Sequence, residues 1–292
     1  MPATPLAAPP ATLAATLPAT LAALPSEPAT AAMPIPQVAS QLTTPQAAGQ
    51  AAGQETRAQL LARIEVMRRD YRALMADCIR FGRGDPDQFI DKGIPQSELF
   101  MSELLPFIYR AYIGIPTNAL KTVLDIGPQS FGGTRLLHDL HSPASYNKLK
   151  LAITAVDIVK SFELLQKLMV PGVEFLIQDI FSIEGRAWDF VLCSHVVEHV
   201  PDPLPFLARC QALAHDFVLV ACPWEELPIT TKGHVNTITP ALVAAAGGEE
   251  LTVYTNYMWG KKRQVCIFRL PGKAPRPGLV QGMVSGMGLM RG

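Results

Sequence analysis

One segment near the middle of the chain, residues 121–135 with the sequence KTVLDIGPQSFGGTR, constrains the fold more than any other. It begins with a short apolar run that ends at Ile126. Gly127 then opens a turn, and Gly132 and Gly133 close it before a helical pattern. Glycine lets a backbone approach a ligand closely, and the free N–H groups of a helix start face that ligand. The segment therefore predicts a strand, a tight loop and a helix N-terminus, where nucleotide-type cofactors bind in open α/β sheets.

The glycine spacing of this loop separates several kinds of site. A dinucleotide fingerprint needs G-x-G-x-x-G, and Gln129 stands where the second glycine belongs. A P-loop needs G-x-x-x-x-G-K-[ST]. Gly127, Gly132 and Thr134 fit that pattern, but Gly133 replaces the phosphate-binding lysine. The missing charge argues against a nucleotide triphosphatase. An ordinary strand-to-helix turn without a ligand stays open from the loop alone.

From residue 121 onward, the sequence alternates between strand-like and helix-like patterns. Such an alternation predicts an α/β fold with a parallel sheet and helices on both faces. The last two apolar segments, 251–257 and 264–270, indicate a strand pair with a short polar connection. The other predicted strands are 122–126, 151–156, 174–178, 190–193 and 217–221, and the predicted helices are 133–140, 160–168, 203–214 and 240–246.

Two segments before this region have helical patterns. Over 55–81, apolar residues recur at three- and four-residue steps, and arginines fill the other face. The pattern predicts an amphipathic helix that packs on the domain or pairs with a second copy in a homodimer. A Gly/Asp/Pro break follows at 82–86, and 97–112 predicts a second apolar helix. This second helix either covers a cofactor pocket or only packs against the fold.

The two ends of the chain differ from its middle. Residues 1–54 are nearly all Ala, Pro, Thr, Leu and Gln, and frequent prolines forbid a long helix. This composition predicts a disordered arm, with neither a signal peptide nor a membrane span. We expect the arm (1–54) to precede an N-terminal helical segment (55–120), a cofactor-binding domain (121–270) and a flexible tail (271–292).

Charge and cysteine content narrow the function further. Lys and Arg together equal Asp and Glu, so the formal net charge is zero. This balance argues against a nucleic-acid binder that relies on bulk electrostatics. The five cysteines are scattered and form no C-x-x-C pair. Their distribution predicts reduced core thiols in a cytoplasmic protein, rather than disulfides or a zinc site.

A second motif, DFVLCSHVVEHVPDP, runs from Asp189 to Pro203. It resembles the fourth-strand region of class I S-adenosylmethionine (SAM)-dependent methyltransferases. In that family D-x-[VI]-x-x-x-x-[VL]-[LV]-E-H-[VIL]-x-[DN]-P recurs in small-molecule O- and N-methyltransferases. Glu198, His199 and Val200 match this pattern as they stand.

The glycine loop resembles motif I of the same family, [VIL]-[LD]-[DE]-x-G-x-G-x-G. Gln129 and Phe131 depart from it, because they stand at its second and third glycines. The resemblance implies a Rossmann-like seven-stranded, mostly parallel sheet with helices on both faces and an antiparallel last strand, preceded by the N-terminal helices. It also implies that the loop holds the methionine part of SAM. The cofactor-binding residues in this segment are then Asp125, Gly127, Gln129, Gly132, Gly133 and Thr134.

Acidic residues at the ends of the next strands complete the implied cofactor site. Asp157 ends the second strand, where its two oxygens can accept hydrogen bonds from a ribose diol. The alternative for Asp157 is a helix N-cap. Asp179 follows the third strand and by resemblance would contact adenine together with Ile180, or else it caps a loop. Ile158 and Ser194 belong to the same cofactor-binding set.

His195 directly follows the fourth strand, where the family places a residue that faces the methyl donor. His195 and His234 are the candidate catalytic bases for a hydroxyl acceptor, because imidazole titrates near neutral pH. The structural alternative for Glu198 and His199 is that they turn the chain into the next helix. Trp224, after the fifth strand, either stacks on a flat acceptor or covers the edge of the core.

The same histidines also fit a metal site. The H-x-x-E-H spacing would place its first and last residues on one helical face. Two branches of the family, acting on catechol-like compounds and on RNA 3′ ends, carry a metal at E-x-x-E-H, the latter with an added histidine. Here His195 replaces the first glutamate, so the site either prefers zinc-like transition ions over magnesium or holds no metal. The candidate ligands are His195, Glu198, His199 and His234.

The sequence thus predicts a SAM-dependent methyltransferase that acts on an oxygen or nitrogen of a small-molecule or saccharide-like acceptor. A divalent metal is a further candidate cofactor, and no nucleic acid partner is expected. Two alternatives stay open. The changed glycines and the long first helix favour a methyltransferase-like scaffold that has lost its cofactor. An RNA-end methyltransferase is disfavoured by the neutral charge.

Overall fold

The computed structural model describes residues 56–80, 86–256 and 263–276, all within one compact unit, Glu55–Gly292. The arm predicted over 1–54 and most of the tail predicted over 271–292 lie outside the described residues. Within the tail, Lys273 and Ala274 donate backbone hydrogen bonds to Gln211 and Ala214. The predicted domain boundaries stay predictions. No helix in the described ranges is long and apolar enough to cross a membrane.

Seven strands of the described chain form one sheet. They are β1 (Ala119–Ile126), β2 (Leu149–Asp157), β3 (Glu174–Ile177), β4 (Trp188–Ser194), β5 (Ala214–Pro223), β6 (Glu249–Asn256) and β7 (Arg263–Pro271). Their spatial order is β3-β2-β1-β4-β5-β7-β6. Only β7 runs antiparallel to its neighbours, β5 and β6. The predicted Rossmann-like, mostly parallel sheet with an antiparallel last strand is confirmed.

Helices cover both faces of this sheet and enclose two apolar cores. One core contains Leu104, Phe131 and Phe190, and the other contains Leu207 and Phe268. Because both faces are covered, the inner strands are buried on both sides, as parallel strands generally are. The helices are α1 (Arg57–Arg80), α2 (Pro86–Ala111), α3 (Gly132–His141), α4 (Glu163–Met169), α5 (Pro203–Leu213) and α6 (Pro240–Ala245).

The central strand β1 sets the place of the site. It lies between β2 and β4, so the chain leaves it toward one side of the sheet and later returns on the other side. Its last residues, 123–126, are all buried. A crevice forms outside the carboxyl ends of the strands where the strand order reverses, and ligands of open α/β sheets bind there.

Helix α2 begins at Pro86, eleven residues before the predicted start at 97. The predicted start at 97 is wrong, because the helix includes the residues before it and continues through Pro95. Proline removes one helical hydrogen bond, here the one to the carbonyl of Asp91. Both Asp91 and Pro95 are exposed, so water can satisfy that carbonyl and the helix continues.

Two adjacent glycines allow α2 to lie directly against α3. A methyl group at Gly132 would overlap the backbone carbonyl of Ile94, and one at Gly133 would lie 2.8 Å from the carbonyl oxygen of Ser97. The Gly133 N–H donates to Ser97 Oγ at 2.9 Å. In the described structure, these glycines therefore serve a contact between helices. That contact holds α2 above the carboxyl ends of the strands.

A Gly132→Ala substitution is expected to lower the free energy of unfolding by about 1–3 kcal/mol, because the added methyl group overpacks the contact with Ile94. Urea denaturation measures this change. Gly172→Ala is the matched control, since a methyl group there meets nothing within 4 Å. An unchanged stability for Gly132→Ala would contradict the described contact.

Helix α1 leaves most of its apolar residues uncovered. Of its 24 residues, only Leu74 and Cys78 are buried. The exposed face is the one that the sequence predicts to pair with a second copy of the chain. We propose this pairing, and light scattering of the purified protein tests it. The large apolar residues exposed on α1 are Leu60, Leu61, Val66, Met67, Tyr71, Met75 and Ile79.

Candidate cofactor and metal site

A cavity of about 720 Å³ opens at the carboxyl ends of β1, β2, β3 and β4, under α2. This volume is within the range of small-molecule sites in proteins, roughly 300–1,000 Å³. Most of the predicted site residues line it, from five separate stretches of the chain. They are Asp125, Gly127, Gln129, Gly133, Asp157, Ile158, Asp179, Ile180, Ser194, His195, Glu198, His199 and His234.

The loop after β1 keeps a left-handed backbone at the three positions where motif I has glycine. The φ angles are 68° at Gly127, 52° at Gln129 and 60° at Phe131. Such angles cost a residue with a side chain on the order of 1–2 kcal/mol. Local strain of this kind persists only where the surrounding structure imposes it, and it concentrates at ligand-binding sites. Gln129 and Phe131 therefore have a backbone conformation that glycine adopts most easily.

Phe131 replaces the third glycine because its side chain is part of the core. It is fully buried and packs edge-on against Phe175, with ring centroids 5.1 Å apart. Gly127 remains glycine for a different reason, since a Cβ there would come within 2.6 Å of Val196.

Asp125 is a buried carboxylate at the end of β1. Thr134 Oγ1 donates a hydrogen bond to its Oδ2 at 2.6 Å. Burial raises the pKa of Asp125, the Thr134 hydrogen bond opposes this, and the nearby charge of Asp157 raises it further, to about 6. The charged form of Asp125 is thus costly in the folded protein, although the side chain reaches the cavity.

An Asp125→Asn substitution is expected to raise the free energy of unfolding at pH 8 by about 2–3 kcal/mol. The folded-state pKa is raised, so stability from Asp125 is complete below the unfolded-state pKa and is lost as the pH rises through about 6. The gain should therefore vanish near pH 4. Urea denaturation at both pH values measures it, with the exposed Asp139→Asn as control. An equal gain at both pH values would contradict the assignment.

Asp157 and Asp179 both lie at the cavity, and each accepts one local backbone hydrogen bond. Asp157 Oδ1 accepts from the Val159 N–H at 3.0 Å, and Asp179 Oδ1 accepts from the Phe181 N–H at 3.0 Å. The capping alternatives are therefore present at both residues. Ile158 is 69% exposed at the cavity.

Phe181 was missed by the sequence prediction, which chose its neighbour Ile180. Both residues line the cavity, but Ile180 is buried, whereas Phe181 is 53% exposed. An exposed aromatic ring beside a cavity offers a flat apolar surface to a ligand. The only available indication in the sequence was its position after Asp179.

His195 lies in a left-handed conformation, φ 55°, directly after β4. Its N–H donates to the Ala221 carbonyl at 2.8 Å, and its ring stacks on Phe100 of α2 with centroids 3.6 Å apart. His195 Nδ1 is 3.4 Å from Glu198 Oε1. The predicted shared helical face does not form here, because only the single 3₁₀ turn Val197–His199 follows. Ser194, just before His195, has a buried hydroxyl without a hydrogen-bond partner among the described residues.

Three of the four candidate metal ligands come together. Glu198, His199 and His234 each offer a ligand atom within 4.8 Å of the others, and this group does not include His195. The side chain of Glu198 is 2% exposed. Neither of its carboxylate oxygens accepts a hydrogen bond from the described part of the chain. A buried carboxylate in that state is costly unless another group satisfies it.

Both histidines of this group have one ring nitrogen engaged. His199 Nδ1 hydrogen-bonds the Gly233 carbonyl at 2.9 Å, and His234 Nδ1 hydrogen-bonds Glu226 Oε2 at 2.5 Å. Metal-bound histidines are commonly held by such a partner on the second nitrogen. The buried carboxylate and the two oriented imidazoles therefore fit a divalent transition ion.

Glu226, the partner of His234, accepts several hydrogen bonds that stabilise its ionised form. Burial would raise the pKa of Glu226, but hydrogen bonds from Thr231 and His234 and the charge of His234 outweigh it and lower the pKa to about 2. Thr231 donates to Glu226 Oε1 from its hydroxyl at 2.6 Å and from its N–H at 3.1 Å.

Some residues lie elsewhere than predicted, and others were missed. Gly132 and Thr134 do not line the cavity; Thr134 instead supports Asp125. Trp224 packs against the core that contains Leu207 and Phe268 and does not line the cavity. The second predicted helix does line the cavity, but the individual lining residues on α2 and in the loop after β5 were not predicted. They are Gln96, Ser97, Phe100, Met101, Thr231 and Lys232.

Comparison with known proteins identifies structural neighbours only. No protein-family model and no curated protein matches the sequence. The chain is similar to a 1,6-didemethyltoxoflavin N1-methyltransferase of Burkholderia thailandensis, with 18% identity, 69% and 88% of the two chains covered and a TM-score of 0.47. It is also similar to the N-terminal domain of EvdMO1, with 17% identity, 60% and 81% covered and a TM-score of 0.41. The N-methyltransferase NodS of Bradyrhizobium japonicum WM9 shows 13% identity, 59% and 88% covered and a TM-score of 0.43. All three structures contain S-adenosylhomocysteine.

Proposed function

We propose that this chain is a SAM-dependent methyltransferase that acts on an oxygen or nitrogen of a small-molecule or saccharide-like acceptor. One observation carries the proposal. The left-handed loop after β1, Asp157 after β2 and Asp179 after β3 meet at a single cavity, in the chain order that the family motifs require. The sequence resemblance and the geometry thus support the same cofactor site.

Each part of the cavity suits one part of SAM. The loop containing Gly127 and Gln129 would face the methionine part, with Asp125 behind it. Asp157 would accept hydrogen bonds from the ribose hydroxyls, as carboxylates do at the end of such strands. Asp179 and the exposed ring of Phe181 would hold the adenine.

Bound SAM supplies a methyl group already activated by the sulfonium. The protein then has to orient the acceptor for in-line attack and to take up a proton if the acceptor is a hydroxyl. His195 and His234, which both line the cavity, are the proposed bases. The ring of His195 is fixed by Phe100 on one face, so its position at the end of β4 is well defined.

Titration with S-adenosylhomocysteine by calorimetry tests the cofactor site. We expect micromolar binding, and about 10- to 100-fold weaker binding for Asp157→Ala, because hydrogen bonds to a charged group contribute about 1.5–3 kcal/mol. Asp139→Ala, an exposed position on α3 away from the cavity, should bind as the wild type does. Absence of binding at millimolar ligand would reject the enzyme and favour the scaffold alternative.

We further propose that Glu198, His199 and His234 hold a divalent metal beside the cofactor. The buried, unsatisfied carboxylate of Glu198 supports this proposal. A metal there would lower the pKa of an acceptor hydroxyl. His195 lies beside this group, as the 3.4 Å distance to Glu198 shows, rather than within it.

Calorimetric titration with Zn²⁺ and Mg²⁺ tests the metal site without any activity assay. We expect one equivalent of Zn²⁺ to bind more tightly than Mg²⁺, because two imidazoles favour transition ions. His199→Ala should weaken Zn²⁺ binding at least about tenfold. His138→Ala, on the exposed side of α3, is the control. Equal Zn²⁺ binding by both variants would argue against these ligands.

A further inference from the structure

The loop after β5 is organised around one carboxylate, that of Glu226. Glu226 Oε1 accepts hydrogen bonds from Thr231, and Glu226 Oε2 faces His234 Nδ1 at 2.5 Å. Thr237 Oγ1 donates to the Glu226 backbone carbonyl at 3.1 Å. The side chains of Glu226 and His234 are only 10% and 8% exposed, so water does not compete strongly for this pair.

This loop is also fastened to the turn that carries the other two candidate ligands. The Glu198 carbonyl accepts from Val235 N–H at 2.8 Å and from Asn236 N–H at 3.2 Å. The Gly233 carbonyl hydrogen-bonds His199. Residues 226–236 therefore determine where His234 lies relative to Glu198 and His199.

The chemistry of the Glu226 contact fixes the tautomer of His234. An ionised carboxylate has only acceptor sites, so the hydrogen in this contact must be on His234 Nδ1. Neutral imidazole then has its lone pair on Nε2. A lone pair at Nε2 is what a metal ligand or a general base needs at the cavity.

We propose that Glu226 is a positioning residue, which holds a hydrogen on His234 Nδ1 and so leaves Nε2 as the nitrogen that can serve a metal ion or an acceptor proton at the cavity. The inference concerns which ring nitrogen of His234 carries the hydrogen. Only the role of Nε2 as a metal ligand or base rests on the proposed function. A glutamine at 226 would offer an amide N–H as well as a carbonyl. That N–H can donate to Nδ1 and so stabilise the opposite, Nε2–H tautomer.

A purely structural role for Glu226 is the competing explanation, since the same carboxylate anchors Thr231. Thr231→Val separates the two roles. It removes the hydroxyl contact with Glu226 but leaves the contact with His234 unchanged. If Glu226 only anchors the loop, Thr231→Val should act like Glu226→Gln.

The experiment is ¹⁵N NMR of histidine-labelled protein, without cofactor or metal, for the wild type and the variants Glu226→Gln, Glu225→Gln and Thr231→Val. We expect His234 to be Nδ1–H in the wild type and to shift toward Nε2–H only in Glu226→Gln. Glu225→Gln is the matched control, because it removes the same charge at the exposed neighbouring residue. An Nε2–H tautomer in the wild type would overturn the proposal even if Glu226→Gln did not fold.

Zn²⁺ titration of the same proteins is the second readout. Glu226→Gln should weaken binding about 10- to 100-fold, as loss of a histidine's supporting partner typically does. Glu225→Gln should stay within about twofold. Equal losses in Glu226→Gln and Thr231→Val would overturn the proposal in favour of loop anchoring. We expect the wild type and the three variants to bind S-adenosylhomocysteine with the same affinity. A protein that has lost its cofactor site would therefore be distinguished from one that has lost only Zn²⁺ binding.

Discussion

The close contact between α2 and the start of α3 is the constraint on which the site depends. It requires glycine at 132 and 133, because any side chain there would meet the backbone of α2 at Ile94 or Ser97. The contact places α2 over the carboxyl ends of the strands, and Phe100 from this helix then stacks on His195. A helix that precedes the sheet in sequence thus forms the roof of the cavity. The glycine pair that first suggested a ligand-binding loop has this packing role in the structure.

The sheet could be predicted because each strand is a short apolar run bounded by turn residues, and Asp157 and Asp179 follow those runs directly. The conformation at Gln129 and Phe131 could not be predicted. Their identities contradict the glycine rule, and only the tertiary contacts of Phe131 explain a left-handed backbone with a buried side chain. A motif defined by glycine letters therefore fails at these two positions, although both have the left-handed backbone that glycine adopts most easily. Glu226 was also unpredictable, because its partner His234 is brought to it by an irregular loop.

Two buried carboxylates give the site its electrostatic character. Asp125 is supported by a single hydroxyl and has a raised pKa, and Glu198 accepts no hydrogen bond among the described residues. The charged form of Asp125 lowers the stability of the folded protein unless a positive group approaches. The buried oxygens of Glu198 lack a compensating hydrogen bond from the described residues. Two carboxyl groups, those of Asp125 and Glu198, therefore line one cavity. A cationic ligand or a metal ion bound there would neutralise part of their negative charge. The left-handed backbone at Gln129, Phe131 and His195 also lowers the free energy of unfolding.

The exposed side chains of Ile158 and Phe181 have a thermodynamic consequence. Both lie at the cavity with more than half of their surface open to water. A ligand that covers them removes apolar surface from water, which lowers the heat capacity of the complex relative to its free components. The enthalpy of ligand binding should then become steadily more negative as the temperature rises. Recognition at this rim would thus be driven increasingly by enthalpy in a warmer environment.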